Sequence, residues 1–441
     1  MNVILIAIDT LRADHLDCYG YERETSPTLA ALAGEGILYE DFIAPAIPTD
    51  PSFASLFTGL PDYAHRIAGV IPPRSVAEGA PWLPEVFRDA GYFTCAVDNL
   101  QGHADFFKRG WQDYSWPGMG REDEEGVKRN GKFVTAAGVE LLDRLPADDP
   151  FLMFLHYWDP HTPYLPPPPH DGMFYDGDPT DPRHDSMKAV RAFGGPGTGW
   201  IDDEVTDAEH VTAQYDAEIA YNSEHLGAFF AALQERALYD DALIVVFADH
   251  GEVLTDHVGY FDHHGLYEDN IHVPLIVKLP GGRNAGSRLE HMVQMTDLPV
   301  TLLKAADLEV PSDMEGADLL ALPEGAPAPH ENLYLAEGTW QVKRGVRTRD
   351  WKFIRAASDS YKHNFHASPL RELYNPQKDP REQVNLANAE PEVAAELERR
   401  LDEWLARMKD RWGWDDPLLE DGPTLLKKIE DRTVTPAADI E

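Results

Sequence analysis

Four separated points in the chain carry side chains able to hold a cation or attack an ester. Asp9 closes the apolar run Val3 to Ile8. Asp249 and His250 close the run Ala242 to Ala248 and are followed by Gly251 and Glu252. Thr49 stands in Ile47-Pro48-Thr49-Asp50-Pro51-Ser52-Phe53, a Pro-bounded stretch that runs on to Gly59. Carboxylate and imidazole groups are hard and borderline metal ligands. A hydroxyl at a helix N-terminus meets free N–H groups and a dipole that favours an anion. Taken singly, Asp9 reads equally as a helix N-cap, Thr49 as a cap, and Asp249-His250 as a hydrogen-bonded strand-end turn. Taken together, Asp9, Asp249, His250 and the Thr49 oxygen make a four-ligand set for one divalent cation (Mn, Mg, Ca or Zn), with room for a second metal. Such an ion lowers the pKa of the threonine hydroxyl and clamps an anionic ester oxygen.

The elements that must position these groups follow from the hydrophobic pattern. Continuous apolar runs at 2–8, 151–157, 242–248 and 273–278 predict buried strands, with a further strand over 92–97. Helical spacing predicts helices over 26–33, 51–58, 82–90, 134–145, 208–236 and 296–303. This strand and helix alternation implies a mostly parallel α/β sheet, whose functional groups gather at the strands' carboxyl ends. After about residue 325 the alternation weakens to a hairpin at 343–355, a short strand at 372–374 and an amphipathic helix at 390–409. The expected organisation is a catalytic α/β domain at 1–325, a smaller α+β subdomain at 326–415 and an acidic tail at 416–441. The Pro/Gly/Asp-rich stretch 165–203 reads as a long surface excursion and a candidate lid.

The composition narrows the partners. Among 441 residues, 77 are acidic and 38 basic, a formal charge of −39. That surface repels nucleic acid and anionic membranes, and it fits a highly solvated exterior such as proteins adapted to high salt carry. An anionic substrate then needs a local positive centre, which again points to a metal. Cys18 and Cys95 give no disulfide framework and read as buried thiols. The chain lacks a leader pattern and a membrane-spanning run, so a cytoplasmic protein is expected. The oligomeric state is left open.

The ordered set of motifs resembles the sulfatase family of the alkaline phosphatase superfamily. The matching pieces are Ile8 to Leu16, Pro51-Ser52 with Ser55 to Gly59, His156 to Pro163, Ala248 to Glu252, Leu266 to Glu268, Val273 to Ile276, Gln294 to Leu303, and Glu372 to Asn375 with Asp379-Pro380. The resemblance implies an alkaline-phosphatase-like fold and a small anionic ester as substrate. It assigns Asp9, Asp249 and His250 to the metal and Thr49 to the nucleophile position, where typical members carry a Cys or Ser converted to formylglycine. It assigns His161 to substrate contact, and it puts His263 at a lysine position, where an imidazole stabilises charge or protonates the leaving oxygen. His264 is its close rival. Asn99 and Gln101 fall at the family's Lys-x-His pair, as substrate hydrogen-bond donors or structural residues. Asp14, His15, His65 and His257 are left as structural or supporting residues. Threonine cannot yield formylglycine, because its β-carbon carries a methyl group, and the motif's arginine is Phe53. Phosphothreonine is resolved by ordinary in-line displacement, whereas sulfothreonine has no eliminative exit. The expectation is a phosphate or phosphonate ester hydrolase or transferase. Sulfatase activity without formylglycine and a non-catalytic binding homologue are the alternatives.

Overall fold

The apolar runs of the sequence form the middle of one large sheet. The computed structural model describes residues 1–116, 130–193, 198–257, 259–322, 325–357 and 369–424. The acidic patch at 121–125 and residues 425–441 of the tail lie outside the described residues. The strands are β1 (Asn2–Ile8), β2 (Ile37–Ile43), β3 (Ala46–Ile47), β4 (Phe93–Val97), β5 (Asp113–Ser115), β6 (Phe151–Tyr157), β7 (Ala242–Phe247), β8 (His272–Lys278), β9 (Ser287–Gln294), β10 (Leu333–Gly338), β11 (Val342–Arg347), β12 (Lys352–Ala356) and β13 (Arg371–Tyr374).

The large sheet has the order β5-β4-β6-β1-β7-β8-β2-β9. β1 lies between two parallel neighbours, with Leu5 opposite Phe154 of β6 and Val245 of β7. Only β8 runs against its neighbours. β6 and β7 are buried along their whole length, as strands covered on both faces are. Helices Pro27–Glu35, Asn130–Leu142 and Ala208–Glu235 pack as one group. Thr49–Thr58, Leu83–Asp89 and Asp297–Ala305 form another. The parallel set β6-β1-β7 points its carboxyl ends the same way, which brings Tyr157, Asp9 and Asp249 to one edge.

The second sheet, β13-β12-β11-β10-β3, is antiparallel apart from the β10–β3 pair. β3 comes from residues 46–47, so the sheet of the C-terminal part ends on the strand that leads directly into Thr49. Helix Pro391–Trp412 covers this sheet with Leu397, Leu401, Trp404 and Met408, a stripe at spacings of four, three and four. Trp404 stacks on Tyr334 at 4.6 Å. The start of the acidic tail is packed too: Asp416 caps helix Pro417–Asp421, and Leu418 is buried.

Arg344 joins these parts. Its buried guanidinium bonds Asp62 at 2.8 Å and also Asp416. Arg344→Ala leaves two carboxylates without their cation and is expected to cost about 3–5 kcal/mol in denaturant unfolding. A loss below about 1 kcal/mol would show that the triad does not hold the parts together.

Several strands escape the hydrophobic reading. In β2 the pair Glu40-Asp41 interrupts the pattern at a bulge, and β9 alternates Arg288, Glu290 and His291 with its apolar residues. Boundaries move as well: the 134–145 helix is Asn130–Leu142, and the helix read from Pro51 begins at Thr49. The 165–203 excursion contains the helix Met187–Phe193. Cys95 is buried, but Cys18 is only half-buried because it sits in a surface turn. No helix among the described residues is long and apolar enough to cross a membrane.

His65 turns out to be a structural residue. Its Nδ1 accepts from the Ile67 N–H at 3.1 Å, which leaves the proton on Nε2 facing Ser55 Oγ at 3.0 Å. Burial holds its pKa down, to about 3. The unfolded chain therefore binds a proton that the folded chain refuses between about pH 6.5 and 3. Its contribution to stability is full above pH 6.5 and falls by about 1.4 kcal/mol per pH unit as the pH drops through that window. Urea unfolding from pH 7 to 4 should show this slope, and His65→Asn should flatten it.

Candidate active site

The site is built where β1 and β7 stop. The Asp9 N–H donates to Tyr157 O at 2.9 Å, which fixes the chain as it leaves β1. Thr10 then takes a positive φ of 53° and turns the chain over the end of β7. Its N–H donates to Asp249 Oδ1 at 3.3 Å, and that oxygen also accepts from His250 N at 2.9 Å. Gly251 is required here. A Cβ at that position would lie 2.0 Å from Asp269 O, because the turn after β7 presses against residues 269–270.

His250 is oriented by its own loop. Nδ1 faces the Gly251 carbonyl at 2.9 Å, and a carbonyl only accepts, so the proton sits on Nδ1 and the Nε2 lone pair is exposed to the site. Thr49 Oγ1 lies 3.2 Å from that Nε2. Thr49 is the first residue of its helix, after Pro48 at the N-cap position. The hydroxyl faces the acid and imidazole cluster from the first turn of the helix. Ser52 Oγ donates to Asp249 O at 2.7 Å and pins the helix to β7.

The donor set fits a divalent cation. One ligand atom from each of Asp9, Asp249 and His250 lies within 4.8 Å of the others, and all three residues are buried. Asp9 Oδ1 and Asp249 Oδ2 have no hydrogen-bond partner. Burial, and then the charge of Asp249, push the Asp9 carboxyl well above the usual carboxylate range, against the pull of His250 and His263. Two carboxylates are thus held dry and close together. Asp9 Oδ2 faces His156 Nε2 at 3.1 Å, and burial keeps that imidazole neutral by lowering its pKa to about 4.

The two imidazoles expected on the substrate side come together. His263 lies with ring centroids 4.7 Å from His250 and 5.0 Å from His161. Burial lowers the His263 pKa, but its interactions with Glu252, Asp262 and Asp9 outweigh this and raise it to about 9. His161 stacks on Trp158 at 4.5 Å and donates Nδ1–H to Thr162 O at 2.7 Å. Burial, then His263, depress its pKa well below normal. His264 turns the other way and packs on Gly259 and Phe193, with its Nδ1 4.0 Å from Asp262. Of the two rivals, His263 is the one beside His250.

Asn99 and Gln101 are not joined to this cluster by any hydrogen bond among the described residues. Asn99 is 1% exposed, with neither amide atom hydrogen-bonded, while Gln101 is half-buried and its N–H donates to the Tyr114 hydroxyl at 3.3 Å. Asp14 and His257 are tied into ion pairs with Arg12 and Asp269, and His15 pairs with Asp216 at 2.6 Å.

Three features have no sequence signal of their own. Phe53 fills the motif's arginine position with an aromatic cluster, 4.8 Å from the His156 ring and stacked near Phe57. His156 heads the matching piece His156 to Pro163, but its facing Asp9 has no local sequence signal. His103 faces Asp50, the neighbour of Thr49, at 2.6 Å, a pairing across 53 positions that no local pattern announces.

Comparison with known proteins shows the family and the fold. The family model described as Sulfatase matches residues 1–308, and that described as N-sulphoglucosamine sulphohydrolase, C-terminal, matches residues 256–410. The chain is 24% identical to N-acetylglucosamine-6-O-sulfatase of Bacteroides thetaiotaomicron, over 87% of this chain and 82% of that protein. Its fold is that of BT4656 in complex with D-glucosamine-2-N,6-O-disulfate, with a TM-score of 0.77, 22% identity, and 95% and 99% of the two chains covered. It is also that of the phosphonate monoester hydrolase of Agrobacterium radiobacter, with a TM-score of 0.72, 20% identity, and 92% and 96% covered. With a mostly parallel central sheet, a cation-ready cluster at its strand ends and a family match over residues 1–308, the chain belongs to the sulfatase family of hydrolases.

Proposed function

We propose that this protein hydrolyses or transfers phosphate or phosphonate esters, with Thr49 as the nucleophile. The observation that carries the reading is the Thr49 hydroxyl, which lies 3.2 Å from His250 Nε2 within the acid and imidazole cluster. Asp9, Asp249, His250 and Thr49 are the residues that hold the metal. A divalent ion bound there lowers the pKa of the Thr49 hydroxyl and neutralises ester oxygens.

The Thr49 hydroxyl gives up its proton to water and Oγ1 attacks phosphorus in line, forming an Oγ1–P bond as the P–O bond to the leaving group breaks. His263 hydrogen-bonds the departing oxygen, which takes its proton from water, and water (or an acceptor alcohol) then resolves the phosphothreonine. His161, neutral and stacked on Trp158, lines the substrate side next to His263. Asn99 supplies amide donors from the loop after β4.

A sulfothreonine lacks the eliminative exit open to formylglycine, and this favours phosphorus over sulfur. Sulfuric ester hydrolysis is the second reading, because relatives carry sulfatase names. Turnover of aryl phosphate monoester, diester, phosphonate and sulfate by the Mn²⁺-loaded protein separates them. The best phosphorus ester is expected to exceed the sulfate in kcat/KM by about tenfold or more, a difference of about 1.4 kcal/mol. A sulfate ester as best substrate refutes the phosphoester reading. No turnover of any ester by the metal-loaded protein supports the binding homologue instead.

A further inference from the structure

A second acid and imidazole cluster adjoins the first. Glu252, Asp262 and His263 are buried and bring one ligand atom each within 4.8 Å of the others. His263 Nδ1 is 3.5 Å from Glu252 Oε1 and 3.6 Å from Asp262 Oδ1. These separations match the spacing of ligands around a single ion, whose metal–ligand bonds are about 2.0–2.2 Å. Glu252 is completely buried, and neither of its oxygens has a hydrogen-bond partner. His263 Nδ1 lacks one as well.

Charge balance points the same way. Asp9, Asp249, Glu252 and Asp262 are four carboxylates in one dry region. Among the described residues their ion pairs are all with histidine, none with lysine or arginine. Arg12 comes near, but its guanidinium meets only the Glu252 carbonyl, at 3.1 Å, and its charge is committed to Asp14 and Asp256. Tyr164 and Trp340, which flank the second cluster, are neutral. One divalent ion at Asp9, Asp249 and His250 offsets two of the four charges. Of the other two, Asp262 accepts from His263 N and Trp340 Nε1, whereas Glu252 has only the His263 imidazole facing it.

We propose that Glu252, Asp262 and His263 hold a second divalent cation, separate from the one at Asp9, Asp249 and His250. Two carboxylates and one imidazole are a donor set for Mn²⁺ or Zn²⁺. Ligation at Nδ1 fixes the His263 tautomer, with its proton on Nε2, at the ring edge away from the acid pair. His263 then becomes a fixed donor next to His250 and His161. The proposal rests on the reading above only in taking Asp9, Asp249 and His250 as the first metal site.

The test uses the full-length chain equilibrated with Mn²⁺ and freed of excess metal, with metal per chain measured by elemental analysis. Two Mn per chain are expected in the wild type, and one each in Glu252→Gln, Asp262→Asn and Asp249→Asn. An anomalous difference map of the Mn²⁺-loaded wild-type crystal should place the second peak between Glu252, Asp262 and His263, and this decides the matter if a variant does not fold. A single Mn per chain, or a second peak elsewhere, overturns the proposal. Activity in Thr49→Ala would refute the nucleophile assignment without bearing on the wild-type count of two, so the two failures are distinguishable.

Discussion

Thr49→Ala is expected to lower kcat by about 10⁴-fold or more, the scale on which removal of a covalent nucleophile acts. The same variant should unfold within about 1 kcal/mol of the wild type, because the Thr49 hydroxyl contributes a single contact, to His250. Thr49→Ser keeps the oxygen and should retain activity within about tenfold. The three proteins compared by steady-state kinetics and urea unfolding separate a chemical role from a structural one. Turnover by Thr49→Ala near the wild-type rate would remove the nucleophile assignment.

Loss of the metal site is the second large effect. Asp249→Asn removes a ligand charge and should lower kcat/KM by about 10³-fold, several kcal/mol of charge stabilisation. Chelation of the wild type should do the same, reversed by Mn²⁺. Stability gives a second readout with a definite sign. In the metal-free protein the Asp9 carboxyl is raised by burial and by Asp249, so the folded state holds a proton that the unfolded state releases. Its contribution is full below the ordinary carboxylate pKa and is lost as the pH rises through the folded value. Near neutral pH the chelated protein should therefore melt lower than the Mn²⁺-loaded one, and Asp9→Asn should raise the melting point of the chelated form while abolishing the rise on adding Mn²⁺. An unchanged melting point in all four conditions would mean that the cluster does not bind the ion.

The placing of the candidate site was legible in part because strand ends gather where physics puts them. β1, β6 and β7 are continuous apolar runs, and the residues that follow them, Asp9 and Asp249, fall at the carboxyl edge of a parallel sheet by necessity. Gly251 follows them where the Asp269 carbonyl leaves no room for a Cβ. Thr49 was harder. In sequence it resembles a cap, and only the turn that brings His250 to it separates the two roles. The choice between His263 and His264 was not open to pattern at all, because adjacent residues in a loop can face either way. Here His264 packs on Phe193 while His263 stands between His250 and His161. Pairings across long separations were invisible for the same reason. His103 with Asp50, and β3 with β10, depend on how the whole chain folds. The replacement of the motif's arginine by Phe53 was visible, but not that the ring would close an aromatic cluster over His156.

The most direct measurement is acid-quenched mass spectrometry of the Mn²⁺-loaded protein during turnover of an aryl phosphate monoester, followed by peptide mapping. The expected result is a phosphoryl group on Thr49 in the peptide that contains Ile47 to Gly59, absent from Thr49→Ala. Sustained turnover with Thr49 unmodified, and with Thr49→Ala equally active, would contradict it.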